Sequence, residues 1–72
     1  MSQTIDIAER KVGALWDALA EAEKGDRVVY HVGDHCGGVH RRDAADAERQ
    51  GVCLLFCKRM SNGQFAYLAV KR

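Results

Sequence analysis

Apolar residues recur every three or four positions at the start of the chain: Ile5, Ala8, Val12, Leu15, Leu19 and Ala22, with Trp16 widening the stripe. That period predicts an amphipathic helix over residues 5–24. Asp6 with Glu9 three residues on, or Thr4 just before, supplies a start signal, and Gly25 a left-handed stop. Gly13 falls inside this helix, where it costs about 1 kcal/mol relative to alanine and suits close packing. The pattern then changes. Residues 27–32 (RVVYHV) are β-branched and aromatic and predict a short strand, ended by Gly33-Asp34. Gly37 and Gly38 make residues 35–39 a connector. Asp43 is a candidate N-cap for a short helix over 44–50. Gly51 stands where its C-terminal cap belongs, and an alanine face allows close approach to the first helix.

The second half carries the sharper signal. A strand over residues 52–59 is apolar on both faces: Val52, Leu54 and Phe56 on one, Cys53, Leu55 and Cys57 on the other. Such a strand is covered on both sides, or covered on one and sticky on the other. The return strand begins at Phe65 and alternates, and Asn62-Gly63 between the two is a strong hairpin signal. The expected fold is therefore α+β, a winged-helix-like α-β-α-β-β order. Its sheet is three-stranded and antiparallel, and the Ile5-to-Leu19 stripe of the first helix packs on it.

Length and charge narrow the classes. Seventy-two residues make one small domain. A chain of this size buries only about 60% of its unfolded surface, so its stability is marginal unless it is stapled or oligomeric. No apolar run reaches the roughly 18 residues of a membrane span. The first residues lack the basic-then-apolar pattern of a secretory signal. Three cysteines, Cys36, Cys53 and Cys57, are an odd set and read as reduced thiols of a cytoplasmic protein. Residues 1–26 hold three basic and six acidic side chains (−3), and residues 27–72 hold eight and four (+4). The basic half is compatible with a polyanion partner.

Residues 25–33 (GDRVVYHVG), the Ala-rich segment ending at Gly51, the apolar strand running into Lys58-Arg59, and residues 63–72 (GQFAYLAVKR) resemble a group of small phage and prophage proteins. Those proteins share a Gly-x-x-Val-x-Tyr-His-x-Gly box and a final Tyr-x-Ala-x-x-Arg strand. The resemblance covers about residues 14–72 and implies residence in a bacterial host cytoplasm, with no assigned activity. The connector departs from the group: His35 to His40 stands where relatives carry an apolar residue followed by Asp-Arg. Whether a helix-turn-helix precedes the Ala-rich helix is therefore open.

Four candidate chemistries are present. His31, His35, Cys36 and His40 offer zinc-type ligands within ten residues, with Cys53 and Cys57 as further thiolates. Their spacing matches no established zinc motif, and no metal or other cofactor is expected. Cys36 beside His35 or His40 lacks a third orienting group, and so small a domain offers little concave pocket. No enzyme activity and no small-molecule substrate are expected. Arg41, Arg42 and Arg49 near the second helix, with Lys58 and Arg59 on the hairpin, form a candidate duplex-DNA surface. Asp43, Asp46 and Glu48 on the same helix oppose a phosphate backbone. The two-sided strand supports the rival reading, a protein-interaction or homodimeric module that pairs with a second copy or a host protein. Trp16 and Tyr30 are assigned to the core.

Overall fold

The computed structural model describes residues 3–35 and 37–72. The elements run β1 (Thr4–Asp6), α1 (Ala14–Glu21), β2 (Arg27–Gly33), α2 (Arg41–Arg49), β3 (Cys53–Arg59) and β4 (Phe65–Lys71). The class is α+β as expected. The sheet is not the three-stranded antiparallel sheet of a winged helix. It has four strands in the order β1-β2-β4-β3, with β1 parallel to β2 and the other pairs antiparallel.

The added strand comes out of the expected first helix. Residues 4–7 (TIDI) alternate polar and apolar, the period of a strand, and this local pattern overrides the longer helical stripe. The Ile7 N–H donates to the Val29 carbonyl at 2.9 Å, which extends the β1–β2 ladder. Asp6 Oδ1 accepts the Ala8 N–H at 3.0 Å, turning the chain out of the strand. The helix proper starts only after Gly13, whose φ of 97° lies in the left-handed region. Ile7, which is outside the helical stripe, is fully buried, whereas Val12, which is in it, is 69% exposed. Leu15, Ala18 and Leu19 keep the expected core role.

The other elements stand close to their predicted places. The second helix begins at Arg41 with His40 at the N-cap, not at Asp43, and His40 makes no side-chain cap bond. Its end is the predicted one. The Gly51 N–H donates to Glu48 O and the Val52 N–H to Ala47 O, both at 3.0 Å, with Gly51 at φ 78°, a Schellman closure. The hairpin turns through residues 60–64: Met60 N–H to Gln64 O at 2.7 Å, Gly63 N–H to Met60 O at 3.1 Å, and Gly63 at φ 87°. Asn62 Oδ1 accepts the Gln64 N–H at 3.0 Å.

One core joins both helices to one face of the sheet. It gathers Ile7, Leu15, Ala18 and Leu19 with Val28, Tyr30, Ala44, Ala47, Cys53 and Ala69, and Trp16, Leu55 and Tyr67 pack at its margin. The alanines of α2 pack against the sheet as well as against the first helix, the neighbour its small face was expected to meet. Asp26, itself buried, ties the N-terminal strand to the turn before β2. Its carboxylate accepts the Gln3 N–H at 2.8 Å and the Glu23 N–H at 2.9 Å. Those two backbone donors hold its pKa below the ordinary 3.8.

Candidate interaction surface

Among the described residues no element covers the face of the sheet away from the helices. Strand register sets out its side chains in rows. Thr4, Arg27, Val70 and Leu54 form one row across β1, β2, β4 and β3; Asp6, Val29, Leu68 and Phe56 form the next; Val32, Ala66 and Lys58 form the third. A bulge in β2 between Val29 and His31 sets two residues, Tyr30 and His31, against Tyr67. The extra residue returns Val32 to the open face, beside Ala66.

This face is apolar at its middle and along β3. Leu54 is 43% exposed, Phe56 52% and Met60 38% on the β3 side, beside half-buried Leu68 and Val70 and buried Val29. Basic side chains border it: Arg27 at one end, Lys58 and Arg59 at the hairpin end, where they line one shallow depression with Val29, Met60, Ala66 and Leu68. Asp6, on β1, is the carboxylate of the face. The two-sided strand read from the sequence is thus covered on one side only. Cys53 and Leu55 turn inward, and Leu54 and Phe56 turn to solvent.

Both edges of the sheet are blunted. β1 is three residues long. On β3 the Leu55 N–H, at the free edge, donates to Glu48 Oε2 at 3.2 Å, and the strand ends in Lys58 and Arg59. Short or charged edges suppress strand addition, so the face, and not the edge, is the surface left to engage.

The five basic residues proposed for nucleic acid fall on two sides. Arg41, Arg42 and Arg49 are exposed on α2, on the helix side of the sheet. Arg41 and Arg42 border a depression with Gly38, Val39 and Ala45. Arg49 pairs with Asp46 at 3.1 Å. Lys58 belongs to the open face, with Arg59 beside it at the hairpin end. The fold therefore puts the sheet between Lys58 and the α2 arginines, with Arg59 at the hairpin end on the opposite parity of β3.

The histidine cluster is also divided. His31 borders a depression with Asp6, Glu9, Arg10 and Gly38, and its ring lies 5.7 Å from that of Tyr67. His40 is 1% exposed, and both of its ring nitrogens are without a partner among the described residues. His35 is exposed, and Cys36 lies outside the described residues. Among the described residues no three His, Cys, Asp or Glu side chains converge on a metal position. Cys53 is buried, and burial, with Glu48 nearby, pushes its thiol above the ordinary 9.0, away from the reactive thiolate; Cys57 is exposed. No described helix is long and apolar enough to cross a membrane.

Reading the sequence alone missed the parts that complete this surface: β1 with Asp6, the β2 bulge, and the Glu48 clamp on the β3 edge. The alternation at residues 4–7 was the available signal for the first. No family model matches this chain, nor does any curated protein or solved structure.

Proposed function

We propose that this chain is a small accessory protein that acts by binding and not by catalysis, and that its open sheet face closes on a second copy of itself. One observation carries the reading: a four-stranded face with Leu54, Phe56 and Met60 exposed along its β3 margin, beside Val29, Leu68 and Val70, on a sheet whose edges are both blunted. Three strands roughly 20 Å long and the shorter β1, about 4.8 Å apart, give a footprint on the order of 350 Å². Two such faces bury about 700 Å² in all, below the size of stable interfaces, so a weak, reversible dimer is expected.

Phe56 is the side chain to remove. It is half exposed, so its remaining surface is on the order of 100 Å², or about 1–2 kcal/mol per copy when covered. The loss counts twice in a symmetric dimer, and Phe56→Asp should raise the dissociation constant at least about 30-fold. Sedimentation velocity over a concentration series measures this. Wild type should shift towards dimer with concentration while Phe56→Asp stays monomeric with an unchanged circular dichroism spectrum. A wild type that remains strictly monomeric at millimolar concentration overturns the reading. Salt-sensitive binding of duplex DNA that persists in Phe56→Asp would instead transfer the function to Arg41, Arg42, Arg49, Lys58 and Arg59.

A further inference from the structure

Resting on that self-association, we propose that the two faces meet about a two-fold axis running along the strands, so that Asp6 of each copy pairs with Lys58 of the other. The two residues stand at opposite margins of the face. Asp6 is on β1 at the edge of the middle row. Lys58 is on β3, one row further towards the hairpin. Both are exposed, and Asp6 is the open face's carboxylate among the three rows, against Arg27 and Lys58.

Isologous packing of two sheet faces requires an axis in the plane between them. An axis across the strands, through the middle row, sets β1 against the β1 of the second copy. It brings Asp6 against the same carboxylate of the other copy, a like-charge contact, and leaves each Asp6 the width of the sheet away from Lys58. An axis along the strands sets β1 over β3 and β2 over β4. Val29 then covers Leu68, and Arg27 lies over Val70 with its head free at the margin. The Asp6 column faces the Leu54–Phe56–Lys58 column, with Asp6 level with Phe56 and Lys58 one row on. One row is about 6.7 Å along a strand, within reach of a lysine side chain. Aligned sheets pack about 10 Å apart, which leaves room for the apolar side chains to interdigitate. The carboxylate at one margin and the ammonium at the other thus become a repeated pair that fixes orientation, a role interfacial charges fill better than that of raw affinity.

A charge swap tests the pairing. Asp6→Lys and Lys58→Glu each create two like-charge contacts per dimer, so each alone should dimerise at least tenfold more weakly than wild type. An equimolar mixture of the two should recover dimer, as a heterodimer with both contacts attractive, and so should the double variant. Asp6→Asn is the folding control. It retains an oxygen to accept the Ala8 N–H while removing the charge, and it should weaken the dimer a few-fold and flatten its salt dependence. If wild type dimerises and Phe56→Asp abolishes it, yet the mixture associates no better than its components, the Asp6–Lys58 pairing is wrong and the face reading stands. If wild type does not dimerise, both fall.

Discussion

Replacing His40 with leucine should stabilise the protein. The imidazole is 1% exposed at the N-cap of α2, yet it gives no cap bond, and neither ring nitrogen has a partner among the described residues. A neutral imidazole carries one donor and one acceptor, and both have lost water without replacement. An unpaired buried polar group costs about 1–3 kcal/mol in mutational data. Leucine has nearly the same volume and nothing to satisfy. Some of the gain is offset by its different shape, since a misfit methyl in a packed site costs about 1 kcal/mol or more. The expected net change is on the order of 1 kcal/mol in favour of folding. For a domain of this length that is a rise in midpoint of roughly 4–8 °C. Thermal and urea unfolding followed by far-UV circular dichroism measure it, with His40→Ala as the control. Alanine leaves a cavity and should destabilise. If leucine lowers stability by 1 kcal/mol or more while alanine is no worse, the ring nitrogens are satisfied in solution and the reasoning fails.

Two further substitutions probe the parts of the fold that differ from the sequence reading. Gly13→Ala should destabilise by about 0.5–1.5 kcal/mol, because φ of 97° costs an L-residue about 1–2 kcal/mol, partly offset by a stiffer unfolded chain. Inside a continuous helix the same change would stabilise by about 1 kcal/mol, so the sign of a urea-midpoint shift decides between the two. Asp26→Asn should lower stability at neutral pH and remove an acid-dependent part of it. The folded-state carboxyl titrates below 3.8, so its contribution is in place above that pH and is lost as the pH falls through the lower folded value. Melts between pH 7 and pH 2 should therefore converge for the two proteins. Curves that stay parallel through that range would mean the Gln3 and Glu23 amides do not stabilise the charged form.

Local chemistry made several elements legible. Asn62-Gly63 sets the hairpin, Gly51 ends α2 because only a left-handed residue closes a Schellman turn there, and residues 27–32 have the branched and aromatic side chains of a strand. The apolar run from Cys53 to Cys57 showed two like faces without saying which meets solvent; the structure turns Leu54 and Phe56 outward and packs Leu55 against the core. What the sequence hid depends on distant partners. β1 is three residues long and exists because β2, more than twenty positions on, supplies its ladder; no three-residue window announces a parallel partner. The β2 bulge is hidden for the same reason, since it appears only against Tyr67.

The misplaced helix start bears directly on the surface. Read as a helix, residues 5–13 make Asp6 a capping residue and leave the sheet three strands wide. Folded as β1 and a loop, they widen the open face by a short strand, about a seventh more area at the same spacing. They also set Asp6 level with Val29, Leu68 and Phe56. A three-stranded face with Arg27 and Lys58 at its margins would carry positive charge alone and would repel a second copy. The fourth strand adds Thr4 and the opposite charge, Asp6, to that face. The proposed self-association therefore hinges on the short parallel strand: a substitution that unpairs residues 4–6, such as Ile5→Pro, should lower dimer affinity even though it leaves Leu54, Phe56 and Lys58 untouched.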